Sequence, residues 1–191
     1  MKFTVEKKEI SEALSLVASV AEKRQSIPVL SNILLKAEKE GLTLIATDLE
    51  IELTFKIPKI ELDSEGETTV SARKLADLVR SVPEDTVLTF ELLESQLEIS
   101  ALKFQADFST LPVGDFPVAE ISEFEREVAL PGKELAELIE KTSFAMASQD
   151  VRYYLNGILL EVSPSQINVV ATDGHRSVSY THLTLPTRRG V

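Results

Sequence analysis

The sequence predicts an α+β fold built from duplicated strand–helix–three-strand units, each helix packed on antiparallel sheet. Two observations lead there. Slid by 125 positions without a gap, Leu30, Ile33, Leu34, Leu35, Ala46, Thr47 and Asp48 fall on Leu155, Ile158, Leu159, Leu160, Ala171, Thr172 and Asp173. Leu42, Leu44 and Ile45 fall on Ile167, Val169 and Val170, and upstream Lys8, Glu9 and Glu12 meet Lys133, Glu134 and Glu137. Second, the first copy repeats within itself, with one strand, one amphipathic helix and three strands appearing twice at roughly half that period. A period of this length is too long for a solenoid and fits a duplicated domain.

Taken in order, Phe3 to Val5 reads as a strand. Ile10, Ala13, Leu14, Val17, Ala18 and Ala21 then recur at helical spacing over residues 8–22, while Lys7, Lys8, Ser11, Ser15 and Ser19 lie largely off that stripe. Ser26-Ile27-Pro28 ends the helix, because proline disfavours helical geometry in the residue before it. Strands follow at 31–37, 42–47 and 50–57, with Gly41 placed for a hairpin turn and Ile51, Leu53, Phe55 and Ile57 alternating. The second unit repeats this. Thr68 to Val70 is a strand, Ser71 a candidate N-cap, and Leu75, Leu78, Val79 and Val82 form a stripe stopped by Pro83. Strands at 86–92, 96–100 and 103–110 complete it, with Phe104, Ala106 and Phe108 on one face.

Residues 113–127 carry five acids against Arg126 and hold Pro117, as an inter-domain linker would. The expected domains are therefore 1–125 and the first half of a second copy, 126–176, whose helix is marked by Leu135, Leu138, Ile139, Thr142 and Met146. Residues 177–191, with two arginines and no acid, resemble nothing in the first copy and read as a non-native tail, either disordered or completing a strand by accident.

Composition narrows the function. No run of eighteen apolar residues spans a membrane and the N-terminus lacks a signal-peptide core. The absence of cysteine rules out disulfides, argues with only two histidines against a zinc site, and makes a cytoplasmic location the default. A net charge of −11 argues against a simple basic nucleic-acid binder. The second helix nevertheless places Arg73, Lys74 and Arg80 with Asp77 opposite its apolar stripe, and Lys23, Arg24 and Gln25 follow the first helix. Such faces are ordinarily solvated; alternatively they lie against a polyanion, whose phosphates need only cationic and polar side chains. Tyr153 and Tyr154 could stack on bases or be strand aromatics, one of the two then facing the core. Asp48 and Asp173 read as turn-stabilising residues rather than a catalytic pair. His175 has no nucleophile motif beside it. No catalytic centre and no cofactor site emerge.

MKFTVEK at the start, ATDLEIE at 46–52, TTVSARKLADLVRSVP at 68–83, FSTLPVGDFP at 108–117, and QDVRYYLNGILLE with ATDGHR at 149–176 resemble the beta subunit of bacterial DNA polymerase III, the sliding clamp. That resemblance implies the DNA-clamp fold in a three-domain chain. It implies a head-to-tail homodimer ring around double-stranded DNA, a non-catalytic processivity factor that tethers the polymerase. Its rings are acidic outside with a positive channel, which reconciles the net charge with DNA. By position, the resemblance implies DNA contacts at Arg24, Arg73, Gln149, Tyr153 and Tyr154. It implies a pocket for short peptide motifs of the polymerase III alpha subunit, the clamp loader and repair polymerases at Arg152, Leu155, Thr172, Gly174, His175 and Arg176. Lys74 and Phe108 match the side that meets another protomer. Ser177 departs from the family, which has a hydrophobic residue there completing the pocket. The third domain and half of the second lie beyond the resemblance, so this chain is expected not to close a ring. A non-DNA protein-binding scaffold is the competing reading, and a nucleotidyltransferase or nuclease would need a carboxylate or histidine cluster that is not visible.

Overall fold

Alternation and helical stripe meet at the first residues of the chain, where β1 (Lys2–Glu6) runs straight into α1 (Lys7–Val20). The computed structural model describes residues 1–21, 27–119, 128–163 and 166–183. It divides into two units, Met1–Ile121 and Ser122–Val191.

In the first unit, α1 buries Ile10, Ala13, Leu14 and Val17 as its spacing predicts. A short 3-10 turn (Pro28–Ser31) leads into β2 (Asn32–Glu38), β3 (Gly41–Thr47) and β4 (Glu52–Ile57). Gly41 sits at φ +128°, and a Cβ there would lie 2.3 Å from the Ile57 carbonyl oxygen, so the hairpin requires glycine. β5 (Glu61–Ser64), β6 (Gly66–Ser71), α2 (Ala72–Ser81), β7 (Val87–Leu93), β8 (Gln96–Ala101) and β9 (Phe104–Ser109) follow. α2 buries Ala72, Leu75 and Val79, and Val82 before Pro83 is already extended.

The two halves exchange their leading strands. β1 joins the sheet of the second half, giving the order β5-β1-β7-β8-β9, and β6 joins that of the first, giving β4-β3-β2-β6. All neighbours are antiparallel, with Phe3 opposite Phe90 and Val70 opposite Ile33. The exchange is mirrored in charge: Lys2 pairs with Glu91 at 3.0 Å and Lys36 with Glu67 at 3.3 Å, signs reversed between the halves. One apolar core fills the space between, and the Phe3 and Phe90 rings stack at 4.7 Å and 7°. α1 also packs against α2. A smaller cluster of Val29, Leu30, Leu34, Ile45 and Phe116 lies apart from it.

Several expectations change. β5 has no signal in the sequence, since ELDS offers a single apolar side chain. Lys7 belongs to the interior, because its ammonium donates to the Val82 carbonyl at 2.7 Å and pairs with Glu84 at 2.8 Å. Ser71 does precede α2, but its hydroxyl makes no capping bond. The expected linker begins inside the first unit, where Val113–Asp115 form a 3-10 turn and Phe116 is buried. Its remainder, residues 120–127, lies outside the described residues.

The second unit holds α3 (Gly132–Ser143) over the sheet β10 (Leu159–Val162), β11 (Gln166–Thr172) and β12 (Ser177–Leu183), in that order. Leu138 and Thr142 are buried, whereas Ile139 is exposed and Met146 falls beyond the helix. The repeat is true in register. Leu34 faces Ile45 and Leu35 faces Leu44; their counterparts Leu159 and Leu160 face Val170 and Val169.

Register also follows the chain beyond Arg176. Thr47 faces Glu52 and Leu44 faces Phe55, while Thr172 faces Ser177 and Val169 faces Tyr180. Ser177-Val178-Ser179-Tyr180 thus stands where Glu52-Leu53-Thr54-Phe55 does, with the same polar–apolar alternation. Tyr180 packs on the unit's core of Leu138, Ile167 and Val169. The structured chain therefore runs past Arg176 through β12.

Candidate nucleic-acid and partner interfaces

α2 turns Arg73, Lys74, Asp77 and Arg80 outward while its Leu75 and Val79 are sealed in the core. Asp77 takes Arg80 Nη1 at 3.2 Å and Arg73 Nε at 3.8 Å. The Arg73 side chain remains 84% exposed, so the pairing is solvent-screened and leaves both guanidinium groups open to another anion. Lys74 is exposed on the same helix, and Phe108 is half-buried on the edge strand β9. Arg24, expected with this set, lies outside the described residues.

In the second unit, the loop between α3 and β10 folds around Asp150. Asn156 brackets that residue, its Oδ1 accepting the Asp150 N–H at 3.0 Å and its Nδ2 donating to the Asp150 carbonyl at 3.0 Å. The Asp150 carboxylate takes a two-pronged grip from Arg152, Nε to Oδ1 at 3.0 Å and Nη2 to Oδ2 at 2.8 Å, and also accepts the Arg152 backbone N–H. These bonds hold its pKa down at about 2. Tyr153–Leu155 form a 3-10 turn, not a strand. Strand alternation consequently does not apply, and both rings are outside, 82% and 69% exposed. They meet edge to face at 6.0 Å. The expectation that one of them faces the core is thus overturned. Gln149, exposed at φ +57°, heads the same loop.

The turn from β11 to β12 supplies the rest of the expected pocket. Thr172 Oγ1 accepts the Gly174 N–H at 3.1 Å and donates to the Arg176 carbonyl at 2.7 Å. Asp173 Oδ1 accepts the N–H groups of His175 and Arg176, both at 2.9 Å. These two donors, with the Arg176 side chain behind them, hold the Asp173 carboxyl below the ordinary range. Gly174, at φ +87°, lets the Arg152 guanidinium lie close, since a Cβ would come within 3.1 Å of Nη1. Arg152 Nη2 also reaches the Asp173 carbonyl at 3.4 Å. Arg176 bonds Asp173 through Nε and faces the exposed ring of Phe144 at 5.8 Å.

Arg152, Thr172, Gly174 and Arg176 therefore form one surface with a fixed cation at each side. Leu155 is half-buried, its N–H bonded to the Arg152 carbonyl and its own carbonyl to the Ala147 N–H. His175 joins through its backbone and its ring is exposed. Sequence reasoning missed Asp150, Asn156 and Phe144 as members, although the Asp-x-Arg spacing of Asp150 and Arg152 is itself a signal for such a grip. Asp48 and Asp173 are each consumed by backbone donors. Among the described residues no cluster of three His, Asp or Glu side chains could hold a metal ion, and no helix is long and apolar enough to cross a membrane.

Two family models match the chain: the N-terminal domain of the DNA polymerase III beta subunit over residues 1–120, and its central domain over residues 129–189. The beta sliding clamp of Pseudomonas putida is 46% identical over 176 residues, covering 92% of this chain and 48% of the relative. That of Escherichia coli K12 is 39% identical over 176 residues with the same coverage. The crystal structure of the DNA polymerase III subunit beta from Pseudomonas aeruginosa superposes with a TM-score of 0.93 at 42% identity, over 99% of this chain and 52% of that one. Caulobacter crescentus pol III beta gives 0.90 at 35% identity, over 100% of this chain and 52% of that one. The chain spans about half the length of the curated relatives it matches. With both of its units matched by family models and solved beta subunits superposing at TM-scores of 0.93 and 0.90, the chain belongs to the DNA polymerase III beta subunit family.

Proposed function

We propose that this chain acts as part of a cytoplasmic DNA sliding clamp, a non-catalytic processivity subunit of the replicative polymerase that encircles duplex DNA as a homodimer ring. The observation that carries this reading, beside the family, is the outward face of α2. It is cationic in a chain of net charge −11 and is held by weak, screened pairs that phosphates can replace. A ring retained by topology needs only such exchangeable contacts, because tight base readout would stop it sliding. Arg24, Arg73, Gln149, Tyr153 and Tyr154 are proposed to touch DNA, and Lys74 and Phe108 to meet the neighbouring protomer.

The surface of Arg152, Leu155, Thr172, Gly174, His175 and Arg176 is proposed to receive short hydrophobic peptide motifs of the polymerase III alpha subunit, the clamp loader and repair polymerases. Exposed apolar side chains give such a peptide area, and the fixed guanidinium groups orient its polar atoms. The test is clamp loading onto primed DNA by the full-length protein with Arg24, Arg73 and Gln149 changed to Ala. Loading should fall several-fold and its salt dependence flatten by about one unit of slope per lost phosphate contact. Unaltered loading would favour a protein-binding scaffold instead.

A further inference from the structure

The two copies share a turn and differ in what is fastened to it. Thr47 and Asp48 bond the turn ahead of β4 as Thr172 and Asp173 bond the one ahead of β12. Each copy also makes a 3-10 turn at the matching place, Pro28–Ser31 and Tyr153–Leu155, the first opened by its proline. Only the second copy carries the Asp150–Arg152 pair, whose counterparts in the first are Gln25 and Ile27. Gly174 and Asn156 change with it, standing where the first copy has Leu49 and Ser31. The Ser31 hydroxyl donates to the Pro28 carbonyl at 2.8 Å, whereas Asn156 reaches both sides of the Asp150 backbone. Four positions thus differ as a set while both turns persist, so neither turn requires the Asp150–Arg152 pair.

What the set produces is a fixed guanidinium. The Arg152 side chain is 47% exposed, and on its own it would sample many rotamers. Instead its Nε and Nη2 go to the two Asp150 oxygens, and Nη2 also reaches the Asp173 carbonyl. Nη1 lies over Gly174, where no Cβ intervenes. One side chain thereby ties the loop of Arg152 and Leu155 to the turn of Thr172, Gly174 and Arg176. An exposed ion pair adds little to stability, so its effect is on placement. We propose that Asp150 is a positioning residue for peptide recognition, acting through Arg152, with Asn156 holding the Asp150 backbone in place. This rests on the reading of the surface as a peptide pocket. Asp150 occupies the Nε–Nη2 edge of the fork, so the Nη1 group over Gly174 is the one placed to donate to a peptide acceptor. A guanidinium fixed before the peptide arrives spares the binding step the ordering of a long side chain, an effect of about three- to tenfold in affinity.

The test is a double-mutant cycle in the full-length protein. It is read by fluorescence anisotropy of a labelled peptide carrying the short hydrophobic motif of the polymerase III alpha subunit. Asp150→Ala should weaken binding about three- to tenfold, yet add nothing once Arg152→Ala is present. Asn156→Ala should follow the same pattern. Melting followed by circular dichroism should shift by no more than a few degrees for Asp150→Ala. Asp150→Asn, which keeps the size of the side chain, serves the same cycle should the alanine variant not fold. Binding left unchanged or tightened by Asp150→Ala overturns the proposal. So does an equal loss with and without Arg152, which a merely structural role would give. Peptide binding indifferent to Arg152→Ala overturns the pocket reading itself, which keeps the two failures distinct.

Discussion

Asp48 and Asp173, 125 positions apart, fasten the same turn with the same atoms. Each Oδ1 accepts two backbone N–H groups, from Glu50 and Ile51 in one copy and from His175 and Arg176 in the other. Thr47 and Thr172 complete the match by accepting the N–H of Leu49 and Gly174. The turn demands a left-handed residue at its third position, and there the copies differ: Leu49 sits at φ +76° and Gly174 at +87°.

Leu49 is exposed and gains little from packing, so it bears the left-handed cost that glycine avoids. Leu49→Gly should stabilise the first unit by about 0.5–1 kcal/mol after glycine's own entropy loss. Gly174→Ala should destabilise the second by about 1–2 kcal/mol and displace Arg152. Urea denaturation of the two variants reads both effects.

Acid should loosen the Asp150–Arg152 grip over a defined window. The folded pKa of Asp150 lies at about 2, below its ordinary 3.8, so the contribution is complete above the ordinary value and is lost as pH falls towards 2. An NMR titration of the Asp150 carboxyl should give a midpoint near that folded value, and Arg152→Ala should bring it back up towards 3.8.

Lys7→Met keeps the length of the side chain but strands the Val82 carbonyl that the ammonium satisfies. The Glu84 partner is largely exposed and can turn to water, so the loss is mainly that of the carbonyl's bond. The first unit should lose about 1–3 kcal/mol in denaturant unfolding.

Phe3→Ala removes one ring of the stack that joins the halves of the first unit. The expected cost is about 3–5 kcal/mol, a large share of the stability of a small domain. Amide exchange should then speed up across β1 and β7, with the second unit unaffected.

What the sequence discloses follows from the range of the forces involved. α1 and α2 are legible because Leu14, Val17, Leu75 and Val79 recur at helical spacing, a local pattern with a single burial solution. The hairpin at Gly41 is legible because one residue carries it. The exchange of leading strands is not, since Phe3 opposite Phe90 is a relation between distant residues that no window contains. Lys7 reads as surface for the same reason, its acceptor lying 75 residues away. In the candidate site, Thr172, Gly174 and Arg176 are found by resemblance and their roles by geometry. Tyr153 and Tyr154 mislead because the bracket of Asn156 on Asp150 makes a 3-10 turn where the residues suggest a strand. Strand β12 escapes notice because Val178 and Tyr180 match Leu53 and Phe55 in pattern and not in identity.

We propose that DNA is held by encirclement across the face that includes α2. The most direct measurement loads the full-length protein onto a nicked circular duplex, then cuts the circle once. Encirclement should give retention on the circle, prompt loss from the linear product, and reduced loading of Arg73→Glu. Equal retention on circular and linear DNA, or loading indifferent to Arg73→Glu, would contradict it.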